Sequence, residues 1–399
     1  VAEIGKFTPE LTPVLFGEGD REAEIDNAKP GQILITTYDL LTREAESFTK
    51  KIFSTIILDE AQAIKNRATK RSETAMRLQG DFKLITTGTP LENHLGELWN
   101  LFQFINPGLL GSMESFNERF AVPIERFGDD SRRDQLRRLI QPFILRRRKD
   151  EVLKELPEKT EITLTVELSG EEKAFYEALR RKALEDLEQS MEGGMQGGQK
   201  HLRILAEIMR LRRAACHPGM VDRQFIKDQS AKLRLFGEVV EELLENGHKA
   251  LVFSQFVDHL SILENYLKTK NINYQYLDGQ TPLPTRQKRI EAFQAGDGDL
   301  FLISLKAGGV GLNLTAADYV IHMDPWWNPA VEDQATDRAH RIGQEKPVTV
   351  YRLVAEDTIE EKILKLHSTK RDLADSLLSG SDVSARLSAD DLLNLLRDR

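Results

Sequence analysis

The chain has 399 residues, with 55 Lys and Arg against 64 Asp and Glu, for a formal charge of −9. Its 40% hydrophobic and 30% charged residues are a globular composition, and at roughly 100–200 residues per domain the length predicts two to four domains. No apolar run approaches the ~20 residues of a membrane span, and the single cysteine, Cys216, excludes an intrachain disulfide and a cysteine zinc cluster. A nucleic-acid binder with this net charge has to concentrate its basic residues locally. The chain opens at Val1 with neither an initiator methionine nor a signal-peptide pattern, so it reads as a piece of something longer.

In chain order, the first apolar runs are Gln32–Tyr38, Phe53–Leu58 and Phe82–Thr86. The stretch Ala61–Leu78 between the last two is polar and suits a helix. Uniformly apolar strands alternating with helices predict a parallel sheet covered on both faces, with chemistry beyond the carboxyl ends of the strands. Asp59, Glu60 and Thr87 fall at such ends. Leu95–Ile105 has helical apolar spacing, and residues 112–141 predict a further helical excursion. From Arg132 to Lys154, nine Lys/Arg oppose three Asp/Glu, a local +6 that peaks at Arg146-Arg147-Arg148-Lys149. That peak reads as a solvated face or as a phosphate contact.

Leu156-Pro157 breaks structure, and Thr160–Leu168 alternates like an exposed strand. Glu171–Ser190 and His201–Cys216 predict helices on either side of a glycine-rich loop, which no Gly-Lys-Ser/Thr follows. Cys216-His217 has too few companions to ligate a metal. From Lys232 a second α/β unit begins. Its strand candidates are Ala250–Phe253, Tyr274–Leu277, Leu300–Ile303, Tyr319–Met323 and Val348–Leu353, with helices at Asp258–Lys270 and Thr285–Ala295 and a closing helix at Asp357–Leu378.

Chemistry concentrates in a few places. Asp59-Glu60-Ala61-Gln62 follows an apolar strand. Its Asp can hold Mg²⁺ through water and its Glu can orient or deprotonate water; the plainer reading is an acidic helix start favoured by the macrodipole. Read as a helix, Gln334–Gln344 places Gln334, Arg338 and Arg341 on one face. Two guanidiniums there address either a carboxylate, with Asp337 and Arg341 as an i, i+4 pair, or a phosphoryl group. Lys306 to Leu314 carries glycines at 308, 309 and 311, which permit either close approach to a ligand or a tight turn. Trp326 and Trp327 are adjacent, so they cannot both face one core.

The series ITTYDLL, DEAQ, TTGTPLEN, LRRRKDEVLKELP, VFSQF, LDGQT, AGGVGLNL, DPWWNP and QATDRAHRIGQ resembles the SWI/SNF family of superfamily-two helicase-like ATPases over nearly the whole chain. The resemblance implies an α/β fold of two RecA-like lobes with parallel sheets, each bearing a helical protrusion, and ATP-driven movement along double-stranded DNA. It implies that Asp59 holds Mg²⁺, that Glu60 activates water, and that Gln62 and Thr87 couple the nucleotide to the lobe interface. Arg338 and Arg341 would be the arginine fingers, with Gln334 beside them, and Gly309 and Gly311 would approach the nucleotide. Thr36, Thr37, Ser254, Gln255, Ser304 and Lys306 would meet the DNA backbone. The expected domains are residues 1–106 (first lobe), 107–150 (protrusion and basic segment), 151–168 (linker), 169–231 (second protrusion), 232–356 (second lobe) and 357–399 (helical brace). No G-x-x-x-x-G-K-[ST] occurs in the chain. The family places that loop upstream, so the expectation is an N-terminally truncated motor, nearly inactive alone. The implied partners are double-stranded DNA and DNA-bound protein complexes, with a monomeric chain, no membrane, and a cytoplasmic nucleoid or nuclear location. The other readings are a non-catalytic DNA- or protein-binding module and an RNA-polymerase-associated remodeller.

Overall fold

The computed structural model describes residues 1–88, 94–147, 149–192, 198–226, 229–308 and 312–365, together with Leu393 and Leu396. It divides into two compact units, Val1–Pro142 and Phe143–Arg399.

In the first unit, β1 (Thr12–Leu15) pairs in parallel with β2 (Gln32–Ile35), and β3 (Ile52–Leu58) in parallel with β4 (Gln79–Ile85). Leu58 lies opposite Ile85, so both chains leave the sheet at the same level. Side chains alternate across a strand. Ile56 and Leu58 therefore face a core shared with Ile64, Leu101 and Phe104. The other face was expected to be covered, but Ile57, Phe82 and Leu84 are 60%, 58% and 41% exposed. An apolar run fixes a strand; it does not specify what lies against each side.

Helix Lys70–Arg77 starts at Thr69, whose side chain accepts from the Ser72 amide, a cap worth about 1 kcal/mol. Helix Leu95–Ile105 is buried around most of its circumference. Its Asn100 amide donates to the Ile64 carbonyl and the Ser72 hydroxyl at 2.6 and 2.8 Å, pinning the segment after β3.

The second unit is built on one parallel sheet. Its strands are β5 (Lys159–Val166), β6 (Ala250–Ser254), β7 (Tyr274–Leu277), β8 (Leu300–Ser304), β9 (Tyr319–His322) and β10 (Val348–Ala355), in the spatial order β5-β10-β9-β6-β8-β7. Here both faces are covered. Leu251, Phe253, Phe301 and Ile303 pack into one cluster, while Ala250, Val252, Leu300 and Leu302 pack into another with Phe236, Leu260 and Leu263. β5 lies within the stretch expected as a linker, and it forms the sheet edge in register with β10. Arg352 of β10 ties it in, donating to Glu161 at 2.9 Å and to buried Glu332 at 2.8 Å.

Helices Gly170–Glu192 and Gly198–Cys216 pack together through Tyr176, Leu179, Ile204 and Leu211, and Leu393 and Leu396 join that cluster. The helix expected over Asp357–Leu378 runs from Ile359 to Lys365, where the described residues stop. Lys232 and Glu360, 0% and 1% exposed at the side chain, form an ion pair that Met323 completes through its carbonyl. Breaking such a pair by removing one partner leaves a buried charge and costs about 3–5 kcal/mol. No helix among the described residues is long and apolar enough to cross a membrane.

Candidate functional site

Each unit carries its own set of candidate residues. In the first, β3 delivers Asp59 and Glu60 beyond its carboxyl end. The Thr86 hydroxyl and the Glu60 amide both donate to Asp59 Oδ1, at 2.6 and 3.0 Å. Glu60 sits in the left-handed region at φ 50°, a conformation uncommon outside glycine and concentrated at functional sites. The Ala61 amide then bonds the Thr86 carbonyl at 3.0 Å. The turn aligns a short chain of side chains, in which Thr87 Oγ1 donates to Gln62 Oε1 at 2.9 Å and Gln62 Nε2 donates to Glu60 Oε2 at 2.6 Å. The expected group of Asp59, Glu60, Gln62 and Thr87 is therefore held together.

Two further members escaped the sequence reading. Thr86 is one residue before the threonine singled out. Tyr38 donates its hydroxyl to the Asp59 carbonyl at 2.9 Å. Burial, then the charges of Asp59 and Glu60, push the Tyr38 phenol up to about 12, so it stays a neutral donor. The signal available was the ITTY run itself, which places Tyr38 directly after the Thr36-Thr37 pair. Thr37 is exposed and caps helix Tyr38–Arg43 by accepting from the Leu40 amide at 3.2 Å.

In the second unit the helix expected through Gln344 ends early. It spans Pro329–Thr336, and Arg338 and Arg341 follow in turns, so the one-face reading of Gln334, Arg338 and Arg341 does not hold. Competing tethers explain the stop. Gln344 donates to the Thr315, Ala317 and Ala339 carbonyls at 3.1, 2.8 and 3.1 Å, and the His340 ring contacts the Pro157 carbonyl at 2.8 Å. The expected Asp337–Arg341 pair does not form among the described residues: Asp337 pairs with Lys149 at 2.5 Å. Arg341 is half-buried, donates to the Leu312 carbonyl at 3.0 Å, and makes no ion pair among the described residues. Arg338 is buried, with its carbonyl accepting from the Leu314 amide at 2.9 Å. Both arginines thus border the segment after the glycine-rich loop. Gly309 and Gly311 lie outside the described residues, as does Arg148 of the basic run.

The expected DNA contacts differ in access. Lys306 is exposed. Ser304 and Ser254 are buried, and the Ser254 hydroxyl donates to Asp324 while accepting from the Phe256 amide. Gln255 is half-buried; its amide donates to Asp324 Oδ2 at 3.3 Å. Asp324 lies below the usual carboxylate range: burial raises it, but the neighbouring His259 ring, the Arg212 charge and the hydrogen bond from Ser254 prevail. Trp326 and Trp327 face two different clusters, as their adjacency required.

Parallel α/β units with carboxylate, amide and hydroxyl groups beyond their strand ends have the build of ligand-handling enzymes. Residues 1–220 match the SNF2-related domain and residues 232–343 the helicase conserved C-terminal domain. The chain belongs to the SNF2-related family of ATP-dependent helicases and translocases. It is 37% identical, over 98% of its length, to the putative ATP-dependent helicase/translocase YwqA of Bacillus subtilis, covering 43% of that protein. It is 34% identical, over 99% of its length, to the human SWI/SNF-related matrix-associated actin-dependent regulator of chromatin subfamily A member 1, covering 39% of it. A solved structure, the Sulfolobus solfataricus SWI2/SNF2 ATPase core in complex with dsDNA, is 34% identical and covers 99% of this chain and 80% of that one, with a TM-score of 0.48. The chain spans between 36% and 43% of the first three curated relatives it matches.

Proposed function

We propose that this chain works as part of an ATP-driven motor that moves along double-stranded DNA and displaces DNA-bound protein complexes. The observation that carries this reading is the ordered set Thr87–Gln62–Glu60 beside Asp59 at the ends of two parallel strands. Asp59 is exposed and, among the described residues, its Oδ2 accepts no hydrogen bond. A free carboxylate oxygen with room for water fits Mg²⁺, which keeps most of its hydration shell. When bound, Mg²⁺ would neutralise charge on the phosphates of ATP. Glu60 Oε2 accepts from Gln62, which aims the side chain so that it could orient and deprotonate water. Thr87 and Gln62 would register the nucleotide. Arg338 and Arg341 would answer its phosphate charge, with Gln334 and the Gly309–Gly311 segment near it. Arg341 supports that role, since no carboxylate neutralises its guanidinium among the described residues.

Contacts from Thr36, Thr37, Ser254, Gln255, Ser304 and Lys306 would go to the DNA backbone, which carries no sequence information. The proposed domains keep the six segments set out above, and the site of action is wherever chromosomal DNA lies, nucleoid or nucleus. The chain would act as a monomer. These 399 residues contain no phosphate-loop lysine motif and are expected to turn over ATP poorly by themselves.

Duplex binding tests the reading. In fluorescence anisotropy, log Kd should rise linearly with log salt, with a slope of several units, and should differ little between unrelated duplexes. A salt-insensitive or sequence-selective response would contradict backbone tracking.

A further inference from the structure

Arg212, on helix Gly198–Cys216, is 1% exposed. Among the described residues it makes no ion pair, which is unusual for so buried a charge. Its guanidinium donates to Gln255 Oε1 at 3.0 Å and to the Pro325 carbonyl. The guanidinium carbon lies 5.7 Å from the Phe256 ring, 5.7 Å from Trp326 and 5.3 Å from Trp327. Aromatic faces and carbonyl oxygens thus replace the missing carboxylate. Burial lowers the guanidinium's pKa, and the negative charge of Asp324 opposes that fall more than any other group does.

The partners lie on two loops, 43 and 113 residues away in sequence. One follows β6 and carries Gln255; the other follows β9 and carries Trp326 and Trp327. Gln255 is gripped at both ends, its amide by Asp324 and its side-chain oxygen by Arg212. The Trp326 amide is held in turn by Glu332 at 2.7 Å. A cation this deep is costly unless its geometry does something an apolar residue could not. A forked donor can fix an amide side chain and a backbone turn at once, which neither methionine nor lysine can do.

We infer that Arg212 is a positioning residue: it orients Gln255 and the Trp326-Trp327 turn for the polynucleotide contact of the second unit. This rests on the DNA reading proposed above. It also gives the helix Gly198–Cys216, which lies within the SNF2-related match rather than the helicase C-terminal match, a direct hold on that contact.

A double-substitution cycle on the full chain tests it, with duplex DNA affinity as readout and thermal melting as control for folding. Gln255→Ala and Arg212→Met should each weaken binding about tenfold, as loss of one well-placed hydrogen bond to a charged group does. Together they should weaken it no further than Arg212→Met alone, because the loss at Gln255 is already contained in the loss of Arg212. The salt slope should stay unchanged, since Arg212 touches no phosphate. Arg212→Lys, which keeps the charge and serves as the milder variant should Arg212→Met fold poorly, should reproduce the loss. Additive losses, a slope reduced by about one, or full affinity in Arg212→Lys would overturn the positioning role while leaving DNA binding standing. Gln255→Ala with unchanged affinity would overturn it too. Failure of the unsubstituted chain to bind any duplex would remove the DNA reading itself, and this inference with it.

Discussion

At the scale of single residues, Glu60 combines two properties that rarely meet: a positive φ and an ordered acceptor role. Its backbone turn lets the Glu60 amide reach Asp59 while the Glu60 carboxylate turns to Gln62. In a polypeptide that also supplies a phosphate loop, Glu60→Gln should leave ATP affinity within about threefold and cut turnover by about 10²–10⁴, the usual worth of a positioned base. Equilibrium nucleotide binding and steady-state hydrolysis measure the two separately. Turnover within a few-fold of the unsubstituted protein would return Glu60 to a plain acidic strand end. This site was legible because Asp-Glu directly follows an apolar strand. Tyr38 and Arg212 were not, because a residue's type says little about partners that only the fold brings near.

At the scale of elements, the strands were the readable part. Apolar runs placed β6, β7, β8, β9 and β10 to within a few residues. The failures came where long-range bonds overrule local preference. Gln344 and His340 hold carbonyls distant in sequence and end the helix at Thr336. β5 was read correctly as an exposed strand, but its place at the sheet edge was not legible because its partner β10 lies 189 residues later at the Lys159–Val348 pairing.

Electrostatics at that edge gives a pH prediction. Burial would raise Glu161, but the bond from Lys159, the Arg352 charge and the Lys159 charge outweigh it and hold it at about 2. A carboxyl lowered in the folded state stabilises above its unfolded value of 4.5 and loses that effect as pH falls towards about 2. Glu161→Gln should therefore lower the urea midpoint at pH 7, and the gap from the parent should narrow steadily below pH 4.5. A gap independent of pH would mean that Glu161 acts through packing alone.

At the scale of the whole molecule, two units that each bury their own core should not melt as one. Calorimetry should resolve two transitions, as multidomain chains usually show, and the first unit should unfold at the lower temperature because its β3-β4 sheet buries one face only. A single transition with equal calorimetric and van't Hoff enthalpies would contradict this. The family match itself crosses the unit boundary, since it runs to residue 220 whereas the first unit stops at Pro142. Sequence kinship and physical compactness divide the molecule differently.

The bare row of Ile57, Phe82 and Leu84 has a practical consequence. Attraction between such greasy surfaces strengthens with heat, so solutions of the 399-residue polypeptide should stay clear in the cold and cloud reversibly on warming. Phe82→Thr with Leu84→Thr, both polar and strand-compatible, should raise the clouding temperature measured by light scattering. Identical curves for parent and variant would place the stickiness elsewhere on the protein.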